Sequence, residues 1–176
     1  MKHIRHILIP IVSSMFMVGA VYAVADDKPH TDSGAKAMAV NPGGYVQPKI
    51  THEQYGVVKI VVPMTTDDKA AQGMKLNNIK NGLDSAAKWG GHIHNTVVLY
   101  GKGVSLLKDP DPETRKMVDA LKARGVKFDV CDNTLHEQGI DFHQLYHVTD
   151  SDIVPSGFAE VAYLQSKKGY VVDPVN

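Results

Sequence analysis

Strand-like and helix-like patterns alternate from residue 57 to the end of the chain. Residues 57–62 form a nearly continuous β-branched run, which is typical of a strand buried on both faces. Leu76, Ile79 and Leu83 then recur at helical spacing, and glycines at 90 and 91 indicate where this helix ends. Further strands are predicted at 96–100, 126–130, 152–154 and 170–172, with helices beginning at Asp111, Thr134 and Ser156 or Gly157 and a short helical piece at 141–146.

Capping signals support these helix boundaries. Residues 65–68 can cap the first helix, and Asp111 precedes a proline at the first helical position of the second. Thr134 and Glu137 have the spacing of a capping box. Five strands alternating with helices predict an α/β fold, a single-domain three-layer sandwich with a mostly parallel five-stranded sheet. The inward face of the last helix is expected to carry Phe158, Val161, Ala162 and Leu164.

The first 25 residues have the three-part layout of a secretory signal peptide. A basic start is followed by an uncharged run from Ile7 to Ala25, with small residues at Ala23 and Ala25 before two aspartates. We therefore expect a cleaved leader and a periplasmic protein. The alternative is an uncleaved membrane anchor, because the run is just long enough to span a bilayer. Residues 26–55, poor in large apolar side chains and containing prolines and glycines, predict a flexible arm before an α/β domain at 56–176.

Charge and cysteine content narrow the function. The chain has 19 basic and 19 acidic residues, and removal of Lys2 and Arg5 with the leader leaves 17 against 19, a net charge of −2. This balance argues against a nucleic-acid partner, which would require excess positive charge. The chain has one cysteine, so neither an intrachain disulfide nor a CxxC pair exists. In an oxidising compartment this cysteine is either buried and inert or retained for chemistry.

Ligands of open α/β sheets bind at the carboxyl ends of the strands, which predicts where a site lies. Cys131 follows the third predicted strand and leads into a helix, where backbone amides and the helix dipole favour a thiolate. The adjacent Asp132 opposes a second negative charge. A buried structural cysteine is the alternative. The other residues at these ends are Thr65, Thr66, Asp67, Gly101, Lys102, Gly103, Asn133, Thr134, Ser156 and Gly157.

The segments at these positions resemble one known family. Residues 125–135, GVKFDVCDNTL, resemble the strand–cysteine–helix core of the DsrE/DsrF-like sulfur-relay family. Residues 154–160, VPSGFAE, together with the Leu164-Gln165 and Gly169-Tyr170 pairs, are similar to its C-terminal signature. Residues 97–107 are similar to its second strand–helix unit. The resemblance covers about residues 56–174, nearly the whole predicted domain.

The resemblance implies a function and a site. Members of the family carry sulfur as a persulfide on a cysteine, which here corresponds to Cys131, and they form trimers or hexamers. We therefore expect a sulfur carrier or sulfurtransferase-type protein without a cofactor, which exchanges sulfur with donor and acceptor proteins. The relay members act in the cytoplasm, so the alternative for an exported chain is a non-catalytic oligomeric binding or assembly module with an inert cysteine. Residues expected to bind the sulfur anion, unless they only form turns, are Gly101, Lys102, Gly103, Asn133 and Thr134.

Other classes of site receive less support from the sequence. His92 and His94 would share a strand face, and His143 and His147 a helix face, but neither pair has a third ligand nearby. We therefore predict no metal site, and a small metal-binding protein that uses these histidines is the third, less favoured interpretation. The chain contains no GxGxxG or Walker pattern, and no serine lies in a G-x-S-x-G setting, which argues against a nucleotide site and a serine hydrolase.

Overall fold

A computed structural model describes residues 48–173, so the predicted leader, most of the predicted arm and the last three residues lie outside the described part. The strands are β1 (Gly56–Met64), β2 (Gly91–Leu99), β3 (Lys127–Cys131), β4 (Ile153–Val154) and β5 (Val171–Val172). The helices are α1 (Lys69–Lys88), α2 (Pro112–Ala123), α3 (Asp132–Gln138) and α4 (Gly157–Lys168). Short 3-10 turns occupy Gly101–Leu106, Phe142–Gln144 and Asp150–Asp152.

The five described strands form one all-parallel sheet in the order β4-β3-β2-β1-β5, which confirms the predicted fold class. β1 and β2 pair over nine residues, from Gly56 with Gly91 to Met64 with Leu99. The edge strands β4 and β5 are only two residues long. Because the strands are parallel, their carboxyl ends meet at one edge of the sheet.

The two faces of the sheet carry cores of unequal size. One face packs against α1, α2 and α3 in a large core that includes Leu76, Val118 and Leu135. On the other face, Val61, Val98 and Leu164 of α4 form a much smaller core. The structure is therefore a three-layer sandwich with a thin α4 layer.

Helix starts follow the sequence signals at three of the four helices. The Asp68 carboxylate accepts from the Ala71 N–H at 2.7 Å, and the Asp111 carboxylate accepts from the Thr114 N–H at 2.9 Å. Ser156 caps α4 in the same way, accepting from Ala159 at 3.4 Å. α3 differs, because it begins at Asp132 and places Thr134 inside its first turn. The predicted capping box is wrong because the strand continues without a loop into the helix.

Two further predictions are corrected. β2 begins at Gly91, five residues before the predicted start, because the first half of β1 provides a parallel partner for these residues. In α4, Phe158 is 74% exposed and Ala162 is also exposed, whereas Leu164 is buried. The apolar stripe of this helix is broader than the small core beneath it. None of the helices within residues 48–173 is long and apolar enough to cross a membrane.

Candidate functional site

Cys131 lies where β3 passes into α3. It is the last residue of the strand, its backbone is extended (φ −74°, ψ 116°), and α3 begins at the next residue. Phe128 and Val130 point into the large core, so alternation along the strand places Cys131 and Asp129 on the α4 face. Cys131 is only 4% exposed, and its side chain makes no capping hydrogen bond. The thiol is therefore at the expected edge of the sheet but covered.

The turn after β2 is tied directly to α3. The Gly101 N–H donates to Thr134 Oγ1 at 2.9 Å, and Gln138 Nε2 donates to the Gly101 carbonyl at 2.9 Å. The Gly103 N–H donates to the Tyr100 carbonyl at 3.1 Å. The two glycine amides expected to bind an anion are thus engaged inside the protein in this conformation. Sequence reasoning missed Gln138, although its position four residues after Thr134 is the signal that puts both on one face of a helix.

Gly103 is required by a close backbone approach. A Cβ atom at this position would lie 1.8 Å from the Met64 carbonyl oxygen and 2.3 Å from its carbonyl carbon. These are main-chain atoms at the end of β1, so they cannot move aside as a flexible side chain would. Gly103 therefore fixes the 101–106 turn against the end of β1, beside the strand edge that carries the site.

The remaining predicted anion-binding residues are on the surface. The Lys102 ammonium is 3.6 Å from the Asp67 carboxylate, and the two side chains are 74% and 57% exposed. Such an exposed pair contributes little to stability, so Lys102 is easily turned towards another anion. Asn133 is exposed in the first turn of α3.

Two cavities lie near the carboxyl ends of the strands. A cavity of about 440 Å³ runs along α3 and is bordered by Asp132 and His136, whose side chains are 3.5 Å apart. A second, of about 420 Å³, lies beyond β1 and β5. Cys131 lines neither of them. The second cavity is lined by Pro63, Thr65, Thr66, Tyr100, Val172 and the ion pair of Lys75 with Asp173 (3.4 Å).

An unusual carboxyl group lies two residues before the cysteine. The pKa of Asp129 is raised to about 6, chiefly by burial and next by the negative charge of Glu160, with a smaller effect of Asp152. The positive charge of Lys127 opposes this rise. The α4 face of β3 is therefore locally acidic.

The predicted helix-face pair of histidines does not form. His143 lies in a 3-10 turn that ends at Gln144, and His147 has a positive φ of 53°. Each histidine contacts a different aspartate. His143 lies 2.7 Å from the Asp141 carboxylate, and His147 lies 3.2 Å from the Asp119 carboxylate. Within residues 48–173, no group of three or more His, Cys, Asp or Glu side chains is placed to hold a metal ion.

Comparison with known proteins decides the family. The profile of the DsrE/DsrF-like family matches residues 57–174, which is the strand–helix domain described above. The chain belongs to the DsrE/DsrF-like family. A solved DsrE-like protein of unknown function, MTH1491 from Methanobacterium thermoautotrophicum, is similar at 26% identity and a TM-score of 0.57, over 66% of this chain and 97% of that one. No curated protein matches the chain.

Membership in the DsrE/DsrF-like family indicates a function related to sulfur relay. It also confirms the family resemblance noted in the sequence, with Cys131 inside the matched region.

Replacement of Gly103 by alanine tests the close approach to Met64. Because the added Cβ meets main-chain atoms, we expect Gly103→Ala to lower the free energy of unfolding by about 2–3 kcal/mol. Urea unfolding measures this loss as a lower midpoint concentration, with the dependence of the unfolding free energy on urea concentration unchanged. The matched control is Gly73→Ala in α1, where a Cβ meets nothing within 4 Å. That variant should gain up to about 1 kcal/mol, and equal stability of the two variants would contradict the assignment.

Asp129 predicts a specific pH dependence of stability. Because its pKa is higher in the folded protein than in the unfolded chain, the Asp129 carboxyl stabilises the folded state when it is protonated. This contribution is complete below the unfolded pKa near 3.8 and is lost as the pH rises through about 6. Asp129→Asn should therefore be more stable than wild type at about pH 8, by up to about 3 kcal/mol, and similar to it at about pH 4. Chemical unfolding at both pH values measures the difference.

Glu160→Gln provides the control for this prediction. It removes one neighbouring charge but leaves the burial of Asp129 unchanged, so it should give a smaller effect of the same sign. An Asp129→Asn effect that is identical at both pH values would show that this carboxyl does not titrate in the fold as described.

Proposed function

We propose that this protein is a periplasmic sulfur carrier of the sulfurtransferase type, which holds sulfur as a persulfide on Cys131. The observation that carries the proposal is the position of the chain's one cysteine. Cys131 lies at the carboxyl end of β3, an interior strand of the sheet, and immediately before α3. It falls within the region that matches the DsrE/DsrF-like family. The predicted leader at residues 1–25 supports the exported location.

The transfer step needs no external oxidant. A thiolate at Cys131 attacks the outer sulfur of a donor persulfide, R–S–S⁻, and forms a Cys131 S–S bond while the donor S–S bond breaks. The electron pair of the broken bond leaves with the donor as R–S⁻. Passing the sulfur to an acceptor thiolate reverses the roles. With a single cysteine in the chain, no second thiol of the same chain can discharge the persulfide.

The first turn of α3 supports anion binding at the sulfur. The opening amides of a helix have no partner within that helix, and Cys131 provides no side-chain cap for them. Asp132 opposes this effect because its carboxylate is in the same turn. Lys102 and Asn133, both exposed, are the side chains available to contact a donor protein from the turn and from α3.

We propose that access to Cys131 depends on a short edge strand. Cys131 pairs with Val154 of β4, which has only two residues and lies at the edge of the sheet. An edge strand this short is expected to open locally at a small free-energy cost. We therefore propose that loading follows opening at β4. Donor and acceptor proteins are the proposed partners, together with further copies of this chain in a trimer or hexamer.

Sulfur loading is the direct test of the carrier. After incubation with polysulfide, or with thiosulfate and a sulfurtransferase, intact-mass spectrometry should show a gain of about 32 Da, one sulfur atom, which a reducing thiol removes. Cys131→Ser should gain none. If wild type gains nothing, or the serine variant gains as much, Cys131 is not a carrier.

A second candidate is favoured by the 4% exposure of Cys131. In this alternative the protein is a non-catalytic oligomeric binding or assembly module, and the cysteine is an inert part of the core. Such a module keeps the fold and its surfaces but should neither load sulfur nor expose its thiol.

Alkylation by iodoacetamide separates the two candidates. If β4 controls access, Val154→Gly should speed labelling of Cys131 in the folded protein severalfold, because it weakens the pairing beside the thiol. The matched control is Val172→Gly in the other two-residue edge strand, β5, which should label at the wild-type rate. Slow labelling in all three proteins, together with no loading, would support the inert module.

A further inference from the structure

Two histidines on β2 differ in their surroundings from the other four histidines within residues 48–173. His136, His143 and His147 each lie beside an aspartate, and His52 contacts a main-chain carbonyl. Within residues 48–173, His92 and His94 have neither a hydrogen bond nor an ion pair. Instead their rings contact each other, with centroids 4.6 Å apart and planes at 73°. Both pairs of ring nitrogens therefore remain available to a ligand.

Strand geometry explains why these rings are together and exposed. Positions 92 and 94 alternate with Ile93, so they share one face of the sheet. Both are exposed, because β3 begins only at Lys127, opposite Thr96, and leaves this end of β2 without a neighbour on that side. On the other side they lie beside Val57 and Lys59 of β1.

The spacing of the rings fits a shared metal ion. Imidazole nitrogens bind divalent transition-metal ions at about 2.0–2.1 Å, which places the centroids of two rings on one ion about 4.5–5.2 Å apart for square-planar to tetrahedral ligand angles. The observed 4.6 Å falls within this range. A rotation of the side chains is then enough to aim one nitrogen of each ring at the same point.

The cation of the β1 residue that pairs with His94, Lys59, is engaged elsewhere. The Lys59 ammonium donates to the Lys168 carbonyl at 3.1 Å, at the C-terminal end of α4. Imidazole ligands favour Zn²⁺, Cu²⁺ and Ni²⁺, whereas Mg²⁺ and Ca²⁺ require oxygen ligands that are missing here. The ligand chemistry therefore selects a divalent transition-metal ion.

We propose that His92 and His94 form a two-imidazole surface site for a divalent transition-metal ion such as Ni²⁺ or Zn²⁺. Water completes the coordination, so the ion exchanges readily. The sequence predicts no metal site because neither histidine pair has a third ligand nearby, and the structure adds the ring geometry that makes the β2 pair a chelate. The site lies at the amino end of β2, at the opposite end of the sheet from Cys131, and does not depend on the sulfur-carrier proposal.

The test is calorimetric titration of the full, tag-free chain with NiCl₂ at neutral pH, since Ni²⁺ does not oxidise the thiol. We expect His92→Ala and His94→Ala each to weaken binding by about a hundredfold, because the second imidazole of a chelate binds at high effective concentration. The matched control is the double variant His143→Ala, His147→Ala, which removes two exposed histidines and should retain wild-type affinity.

Zinc provides a second measurement. Addition of ZnCl₂ should shift the NMR signals of the His92 and His94 ring protons together, at one equivalent, and leave those of His143 and His147 unchanged. Circular dichroism confirms that each variant is folded. If either single β2 variant binds Ni²⁺ as tightly as wild type, or if Zn²⁺ shifts only other histidines, the proposal is overturned.

Discussion

The nine-residue parallel pairing of β1 with β2 is the constraint on which the rest of the structure depends. Parallel strands place all their carboxyl ends at one edge, so the ends of β1, β2 and β3 meet there. The close backbone approach of Gly103 to Met64 and the hydrogen bond from the Gly101 N–H to the Thr134 hydroxyl then join these ends. Cys131 is positioned by this framework, since its own side chain makes no capping bond.

The same pairing separates the chemistry of the two ends of the sheet. At the carboxyl end, Cys131 lies along the chain between Asp129 of β3 and Asp132, the first residue of α3. At the amino end, β2 extends past the first residue of β3, so its side chains have no neighbouring strand on that side. Two imidazoles are therefore presented on a rigid and open surface, at a spacing set by the pleat of the strand. Neither end needs the other for its proposed role.

The sequence predicts the fold well because its signals are local. Asp68, Asp111 and Ser156 cap helices through side chains that need only the next few residues. The start of β2 could not be predicted in this way, because residues 91–95 become a strand by pairing with a segment 35 residues earlier. Similarly, the number of α4 side chains that become buried depends on the size of the core between α4 and the sheet. This core is small, so Phe158 is left exposed.

The site shows the same division between local and long-range information. The position of Cys131 follows from the strand–helix boundary, whereas its burial depends on packing that no local pattern contains. This burial is compatible with a carrier only if the covering structure opens, and the thin α4 layer and two-residue β4 are the least secured parts around it. A persulfide protected from water and from other thiols while closed, and transferable when open, would benefit from that arrangement. Under the proposed function, the free-energy cost of opening the structure around Cys131, more than the static exposure of the thiol, distinguishes a carrier from an inert cysteine.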